Sequence, residues 1–403
     1  MAKRLIIKRI VIVGIGLATL MKLYLAATTN GTLDVAGYTD QLHKIRELGG
    51  IGTYYATVAI HNNPFNHPPF MIHLLEVLGF LADATGISFR FWLRLVPSLA
   101  DVGSIILVWI MPSLRASQRF GKAALLCMVF CPISIIISGY HGNTDPVFIF
   151  FVLLAIYLLE AREQTLLAGL AFGMALNIKV VPLMLLPMIL CYLWPNLRKQ
   201  LEFVGAAGII FIVGSMPYLL QDPAIIVKRV FGYSSIYGLW GWSLLVKVFY
   251  PEFPRFLHPP YDVVGIHGTF ASVGKWVMLG LITAISYRMN SWHRRPFVFH
   301  QAGLIVAIFL TFTPGFGYQY LVWLVPFVVG LGLQATVIYY GMAGLFLLVD
   351  YTCFNNHFFY CNDMLRVFLR IATWGSVIFV LVRYWRTLAE FKHSGKDYKE
   401  EIV

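Results

Sequence analysis

Three polar segments of this chain join long apolar runs, and they contain residues that could hold or activate a polar ligand. Asn62–Phe70 includes Phe-Asn-His-Pro-Pro, Gly139–Pro146 includes His-Gly-Asn-Thr-Asp, and Thr313–Phe327 includes Pro-Gly-Phe-Gly-Tyr-Gln-Tyr. A membrane anchor needs no such loops, whereas a bilayer enzyme or carrier that binds a polar ligand at the interface does. Together the three segments point to an enzyme that works on one face of a membrane.

Asp34 follows the first apolar run, in Asn-Gly-Thr-Leu-Asp-Val-Ala-Gly-Tyr. A carboxylate at an interface beside apolar surface can have its pKa raised toward values that suit a general base. An Asp before an amphipathic run is also a good helix N-cap. The spacing alone favours the cap, so the residues leave both roles open.

Lys179 lies between two short apolar runs, in Asn-Ile-Lys-Val-Val-Pro. A lysine at membrane depth is costly and is usually paired or functional, although snorkelling to the interface would also explain it. Lys228 and Arg229 begin a segment on the side of the membrane that usually carries fewer basic residues. An anionic partner such as a phosphate would explain these cations.

Two turns contain more polar residues than a chain reversal requires. Asp145 precedes Pro146, a pair typical of a helix start, but capping does not explain the polar turn His141–Asn143 before it. Asn66–Pro69 forms a rigid turn, in which a lone His67 is more often a loop residue than a ligand.

Composition predicts a membrane protein. The chain has 403 residues, 59% hydrophobic and 12% charged, with a mean hydropathy of +0.73, whereas soluble domains are roughly 25% charged. The apolar excess must face lipid, where backbone groups pair within helices, and continuous apolar runs disfavour a barrel. We therefore predict an all-α integral membrane protein that forms one polytopic domain over residues 1–403, with juxtamembrane helices.

About twelve transmembrane helices are predicted, at roughly 9–28, 92–112, 121–139, 146–160, 165–178, 180–195, 201–220, 270–288, 297–313, 319–333, 336–352 and 364–385. Residues 165–195 fit either two short helices broken near Lys179 and Pro182 or one long kinked helix.

Basic residues cluster at 3–9, 115–122, 198–199, 288–295 and 383–399. With twelve spans these clusters all fall on one side, as the positive-inside rule expects. The net charge of +12 is therefore explained by topology, without binding to nucleic acid. Both termini, including a tail at about 386–403, are predicted to be cytosolic, and long loops at about 28–91 and 221–269 to be exoplasmic. The N-terminal run is predicted to be a retained span rather than a cleaved signal peptide.

The loops themselves carry structure. Apolar residues at helical spacing predict surface helices over Asp34–Leu48 and Pro68–Leu81. The aromatic residues of 221–269 fit a headgroup-level belt, a sugar platform or a lipid-tail groove. Cys353 and Cys361 share one predicted exoplasmic loop, where either a disulfide or two free thiols is compatible with the sequence.

The chain resembles the GT-C superfamily of polytopic glycosyltransferases. The resemblance rests on Asp34 after the first span, Phe-Asn-His-Pro-Pro at 65–69, His-Gly-Asn-Thr-Asp at 141–145, Lys179 before a Pro-rich span, and Pro-Gly-Phe-Gly-Tyr-Gln-Tyr at 314–320. It is most similar to mannosyl- or hexosyltransferases that use polyprenyl-phosphate sugars. The second acid that commonly pairs with the first-loop Asp is not evident, and the nearest acid here is Asp40.

The resemblance implies an inverting enzyme that moves a hexose from a polyprenyl-phosphate donor to a lipid-linked glycan, glycolipid or protein acceptor at the exoplasmic face. Asp34 becomes the catalytic base, and donor phosphate is expected at Lys179, Lys228 and Arg229. Sugar or acceptor binding is expected at Asn66, His67, His141, Asn143, Asp145, Gln319 and Tyr320. No cofactor or catalytic metal is expected, in line with the lack of nucleotide-loop and zinc-site motifs.

Two other functions fit part of the sequence. A secondary transporter or lipid-carrier flippase would use many spans and broken helices, but it should place polar residues at the bilayer midplane within internal repeats. A non-catalytic subunit of an envelope-assembly complex would tolerate Asp34→Ala, which the enzyme would not.

Overall fold

A computed structural model describes residues 2–49, 66–115, 121–216, 218–221, 223–231, 235–250, 265–290, 297–355 and 363–393. This part of the chain is almost entirely helical, and its two short strands pair with each other. The predictions for the 50–65 segment and for the Cys353–Cys361 pair depend on residues outside the described ranges.

The longer helices are α1 (Ala2–Thr28), α2 (Leu33–Glu47), α3 (Phe70–Thr85), α4 (Phe89–Ile110), α5 (Lys122–Val129), α6 (Asp145–Ala161), α7 (Thr165–Ile178), α8 (Leu186–Leu193), α9 (Leu197–Ser215), α10 (Gly241–Phe249), α11 (Gly265–Asn290), α12 (Val298–Phe312), α13 (Leu321–Val328), α14 (Leu333–Asn355) and α15 (Asp363–His393). Short helical turns lie at Pro112–Arg115, Pro132–Ser134, Val181–Leu185, Tyr218–Gln221, Pro223–Ile226, Tyr318–Tyr320 and Val329–Leu331, and π-helical turns at Ile135–His141 and Val227–Phe231. The strands are β1 (Ile236–Tyr237) and β2 (Gly315–Phe316), which pair antiparallel.

The helices make this an all-α membrane protein. Within the described residues six helical stretches are long and apolar enough to cross a bilayer: Arg9–Thr28, Phe89–Ile110, Lys122–His141, Gly265–Asn290, Leu333–Cys353 and Met364–Glu390. Every one of the twelve predicted segments contains helix, but the other six are shorter or more polar, so the number twelve stays a prediction. Helix α12 is an example. Its 15 residues span only about 22 Å, and Val298–Thr311 are all buried inside the protein, so neither its length nor its surroundings identify it as a membrane span.

Both stretches of the first loop that are predicted as surface helices are helical, and their position at a membrane surface stays a prediction. Helix α2 buries Val35, Tyr38, Leu42 and Ile45 along one face, and α3 covers most of the predicted Pro68–Leu81 stretch. Thr32 is the N-cap of α2, and its hydroxyl accepts a hydrogen bond from the Asp34 backbone N–H at 3.4 Å. Of the two roles left open for Asp34, the N-cap is therefore excluded, since Thr32 already fills that position.

Residues 165–195 form two helices rather than one kinked helix. Helix α7 packs closely on α9, because a Cβ on Gly169 would lie 2.5 Å from the Phe203 carbonyl oxygen and one on Gly173 would lie 2.7 Å from that of Ala207. Small residues of this kind let membrane helices approach closely. The helix ends at Ile178, and Lys179 follows in an extended conformation. The packing of α7 therefore fixes where the Lys179 side chain begins.

A close approach also joins α1 to the π-helical turn Ile135–His141. A Cβ on Gly139 would lie 2.9 Å from the Cα of Lys22. Gly142 ends the turn with φ of 74°, a left-handed conformation that glycine adopts without strain. The turn is thereby held against α1 and delivers the His141–Asp145 segment to the end of the bundle where α2 begins.

The segment after residue 234 packs onto the Pro314–Tyr320 loop. Strand β1 pairs with β2, and Trp240 stacks on Phe316 with ring centroids 4.2 Å apart. Trp240 is fully buried and donates to the Leu310 carbonyl oxygen at 2.7 Å. Trp240 is thus part of the protein core, whereas Trp242 is exposed and still fits an interfacial role.

Candidate active site

Asp34 lies in the first turn of α2 with its carboxylate directed at the His141–Asp145 turn. Asn143 Nδ2 donates to Asp34 Oδ2 at 2.7 Å, and His141 Nε2 lies 3.1 Å from the same oxygen. His141 is fixed on its other side, where Nδ1 lies 2.7 Å from the hydroxyl oxygen of Thr32. The Asp34 side chain is 36% exposed, so a ligand can reach this held carboxylate.

The pKa of Asp34 moves opposite to the sequence-based expectation. Burial raises the pKa of the carboxyl, but His141, the amide of Asn143 and the charge of Lys179 more than offset this effect and hold the pKa well below its usual range. Asp34 is therefore ionised at neutral pH. It can accept a proton without first losing one, although it is a weaker base than a carboxylate of raised pKa.

The Asn66–Pro69 turn packs beside the same helix. His67 Nε2 lies 3.1 Å from the Tyr38 hydroxyl, one helical turn after Asp34, and His67 Nδ1 lies 3.4 Å from the Ile178 carbonyl oxygen. Asn66 is partly exposed at the start of this turn. His67 thus links α2 to the residue before Lys179, and direct contact of Asn66 or His67 with a ligand stays a prediction.

Titration of His67 gives a pH-dependent stability. Burial, followed by the charge of Lys179, lowers the pKa of His67 from 6.5 to about 4. The unfolded chain takes up this proton near pH 6.5 and the folded chain only near pH 4. The stability from neutral His67 is therefore present above pH 6.5 and is lost as the pH falls toward 4, by at most about 3 kcal/mol.

We expect the unfolding temperature of His67→Gln to fall less than that of the wild type between pH 6.5 and 4.5, measured by thermal unfolding in detergent. His43→Gln, an exposed histidine of α2, is the matched control and should keep the wild-type slope. Equal slopes in all three proteins would contradict the role of His67.

Asp145 and Lys179 form a buried ion pair at the start of α6. Lys179 Nζ lies 2.6 Å from Asp145 Oδ1, and Trp323 Nε1 donates to Asp145 Oδ2 at 2.6 Å. Asp145 is fully buried, whereas the Lys179 side chain is 14% exposed. Both carboxylate oxygens of Asp145 are occupied, an arrangement suited to positioning Lys179 and Trp323. Binding of sugar by Asp145 stays a prediction.

The Tyr318–Tyr320 turn and the start of α13 place two aromatic rings beside this pair. Lys179 Nζ lies 5.4 Å from the ring centroid of Tyr320, a cation–π distance, and the Tyr320 and Trp323 ring centroids are 4.1 Å apart. Gln319 is partly buried next to Gly317. The predicted residues Lys179 and Tyr320 are thus brought together, and sugar contacts of Gln319 and Tyr320 remain to be tested.

Arg94 supports the turn that leads into α2. It is completely buried, and its guanidinium donates to the carbonyl oxygens of Leu25, Ala26 and Thr29 at 2.7 to 3.2 Å and to the Thr29 hydroxyl at 2.8 Å. These carbonyls lie at the C-terminal end of α1, where backbone carbonyls have few helical N–H partners. Arg94 is a positioning residue that sequence reasoning missed.

Sequence reasoning also missed charged side chains inside the predicted spans. Intramembrane charges are rare and usually functional or paired, so their positions alone were a usable signal. The charged residues concerned are Lys22, Asp101, Asp350, Arg366 and Arg370. Lys22 Nζ lies 2.7 Å from Asp101 Oδ2, and the same oxygen accepts hydrogen bonds from the hydroxyls of Ser134 and Ser138. This network ties α1 and α4 to the turn that carries His141.

Two predictions for the site are not tested by these contacts. The side chains of Lys228 and Arg229 lie outside the described part of the chain, so their role at a phosphate stays a prediction. Within the described residues no group of three or more His, Cys, Asp or Glu is placed to hold a metal ion. The expectation that catalysis needs no metal or cofactor is not tested by that finding.

The arrangement can remove a proton from a bound hydroxyl beside an anion. Asp34 supplies an ionised and partly exposed carboxylate, His141 and Asn143 fix its orientation, and Lys179 adds a cation near it. The rings of Tyr320 and Trp323 lie beside that cation, and a site with little water strengthens the interaction of a cation with a developing negative charge.

Comparisons with known proteins add one match. A family model described as dolichyl-phosphate-mannose-protein mannosyltransferase matches residues 66–219, less than half of the chain. The matched range contains His67, the 141–145 turn and Lys179, and it begins after Asp34. A comparison with curated proteins finds no match.

Over residues 66–219 the chain is similar to the dolichyl-phosphate-mannose-protein mannosyltransferases, and this match together with the apolar helices supports a GT-C-like membrane glycosyltransferase.

Proposed function

We propose that the protein is an inverting glycosyltransferase that takes a hexose from a polyprenyl-phosphate donor. The observation that carries this proposal is the partly exposed Asp34 carboxylate, held by His141 and Asn143 next to the Lys179 cation. Mannose is the sugar that the family description names. The acceptor is a hydroxyl of a lipid-linked glycan, a glycolipid or a protein at the exoplasmic face, where the polar loops are predicted to lie.

The proposed reaction is a single displacement. The acceptor hydroxyl oxygen attacks the anomeric carbon and forms the new glycosidic bond, while the bond from that carbon to the phosphate oxygen breaks. The proton of the hydroxyl passes to an Asp34 oxygen. The electron pair of the broken bond leaves with the polyprenyl phosphate, whose charge increases. The anomeric configuration of the sugar inverts because no enzyme nucleophile takes part.

A weak base suffices for this step. The acceptor hydroxyl becomes much more acidic as its oxygen bonds to the anomeric carbon, so Asp34 needs to be ionised and well aligned more than strongly basic. The growing charge on the phosphate is stabilised by fixed cations in a site with little water. Lys179 is a cation whose charge acts on Asp34, and the predicted partners Lys228 and Arg229 would add to it.

The remaining predicted residues would orient the sugars. His141 and Asn143 would hold the base, and Asn66, His67, Gln319 and Tyr320 would contact the sugars. His67 lies beside Tyr38 of α2, and Tyr320 lies beside Lys179. Asp145 acts through Lys179, with which it forms the buried ion pair.

A transporter or flippase is the second candidate, and the buried Lys22–Asp101 pair is the observation that favours it. Transporters use such charges at mid-membrane. Here, however, the Asp101 oxygen also accepts hydrogen bonds from the hydroxyls of Ser134 and Ser138, which suits a structural pair.

The two functions differ in what becomes of the donor. We expect the purified protein in liposomes to convert radiolabelled polyprenyl-phosphate mannose to free polyprenyl phosphate and a glycosylated acceptor of inverted configuration, read by chromatography and NMR. A panel of lipid-linked glycan, glycolipid and peptide acceptors is needed. Movement of intact donor between leaflets without any transfer would support the flippase, and a product of retained configuration would exclude the single displacement.

A further inference from the structure

A second polar cluster lies next to the Asp34 site, where α14 ends and α15 begins. Arg366 Nε donates to Asp350 Oδ1 at 2.8 Å, and Arg370 Nη2 lies 3.6 Å from the same oxygen. We call Asp350, Arg366, Arg370 and Tyr318 the arginine cluster. Two guanidinium groups thus lie beside the Asp350 carboxylate, and both stay positively charged because arginine remains protonated in proteins.

The arginine cluster is joined to the candidate base through two tyrosines. Tyr318 interacts with the Asp350 carboxylate, and its ring centroid lies 5.6 Å from that of Tyr351. The Tyr351 ring lies in turn 5.1 Å from the ring of His141, which contacts Asp34. A chain of ring contacts therefore connects the cluster to the histidine that holds the base.

The guanidinium groups are largely buried yet reachable. The side chains of Arg366 and Arg370 are 22% and 10% exposed, against 2% for Asp350. The Arg370 guanidinium lies over the Phe346 ring at 5.8 Å, and its Nε is buried with no hydrogen-bond partner among the described residues. A buried donor without a partner is costly, so this group is suited to bind an acceptor that comes from a ligand.

Hydrogen bonding distinguishes Arg370 from Lys179. Lys179 Nζ lies 2.6 Å from the fully buried Asp145, whereas Arg370 Nη2 lies 3.6 Å from Asp350 Oδ1 and Arg370 Nε has no hydrogen-bond partner among the described residues. Guanidinium groups bind phosphate oxygens through paired hydrogen bonds. A phosphate oxygen can therefore accept a hydrogen bond from Arg370 without displacing a carboxylate.

We propose that Arg366 and Arg370 bind the phosphate of a polyprenyl phosphate, either as part of the sugar donor or as the released product. This assignment rests on the proposed function for the identity of the lipid, and it adds two cations that the predicted set of Lys179, Lys228 and Arg229 lacked. The tail of the lipid would lie along the exposed apolar start of α15, where Met364, Leu365 and Phe368 are exposed.

Binding can be measured without any glycosyl transfer. A short-chain polyprenyl phosphate and the matching uncharged polyprenol are titrated into the detergent-solubilised protein by calorimetry. Wild type should prefer the phosphate. Arg366→Gln and Arg370→Gln should each bind the phosphate roughly thirty-fold more weakly and keep their affinity for the polyprenol, which also reports that they are folded. Arg370→Lys should retain part of the preference.

Two further variants sharpen the test. Asp350→Asn removes the competing carboxylate and should strengthen phosphate binding. Arg386→Gln, an exposed arginine near the other end of α15, should behave like the wild type.

Three results would overturn the proposal: an unchanged phosphate preference in both arginine variants, an equal loss of phosphate and polyprenol binding, or inorganic phosphate that competes as well as the lipid phosphate. The calorimetric assay measures binding alone. If the proposed transfer reaction failed in the liposome assay, the arginine-dependent preference for the phosphate could still be observed here, so the two failures are distinguishable.

Discussion

Asp34→Asn should lower the turnover of a polyprenyl-phosphate sugar by about 10²–10⁴-fold, the usual contribution of a general base. Asparagine keeps the size of the side chain and can still accept the hydrogen bond from Asn143, but it cannot take up the proton of the acceptor. Thr32, not Asp34, caps α2, so we expect only a modest loss of thermal stability. Turnover is measured well below the unfolding temperature of the variant.

Asp40→Asn is the matched control for this change. Asp40 lies on the same helix, about 120° around its axis from Asp34, and is exposed in an ion pair with Lys44. Its replacement should leave turnover near the wild-type value. Near-normal turnover of Asp34→Asn, or an equal loss in both variants, would remove Asp34 from the reaction.

Much of the site could be predicted because local sequence fixes it. The apolar stripe of α2, the Asn-His-Pro-Pro turn, the His-Gly-Asn-Thr-Asp turn and the break at Lys179 each follow from residue type and spacing over a few positions. The structure brings Asp34, His141, Asn143, Asp145, Lys179 and Tyr320 into one cluster. Their separate roles in binding remain predictions.

The rest depends on contacts between residues far apart in the chain. Lys179 and Trp323 follow Asp145 by 34 and 178 positions. No local pattern therefore shows that both side chains already contact the Asp145 carboxylate. The depressed pKa of Asp34 likewise depends on His141 and Lys179, not on the interface that the sequence suggested. The number of spans stays a prediction for the same reason, because a helix enclosed by protein, such as α12, need not match the bilayer.

Arg366 and Arg370 show a different kind of miss. They lie within a predicted apolar span, whereas the positive-inside rule concerns clusters between spans. A charge within a span is informative by itself. Pairing each such residue with a residue of opposite charge in another span would have suggested the Asp350 and Lys22–Asp101 contacts from the sequence alone.

Asp145→Asn and Lys179→Met should each destabilise the protein by about 3–5 kcal/mol, because each leaves the other partner buried without its counter-charge. The double variant should recover most of this loss, since a neutral amide and a thioether need no ion partner. Thermal unfolding of the wild type, both single variants and the double variant gives the coupling energy of the pair. The exposed Asp40–Lys44 pair has the same residue types, and its double-mutant cycle should give a coupling energy of only about 0.3–0.5 kcal/mol.

Turnover then separates the two roles of Lys179, as a partner of Asp145 and as a cation near the leaving phosphate. If Lys179 also stabilises the leaving phosphate, the double variant will be folded but slow by at least about tenfold. A stable double variant with wild-type turnover would make the pair purely structural and leave the phosphate to the other cations.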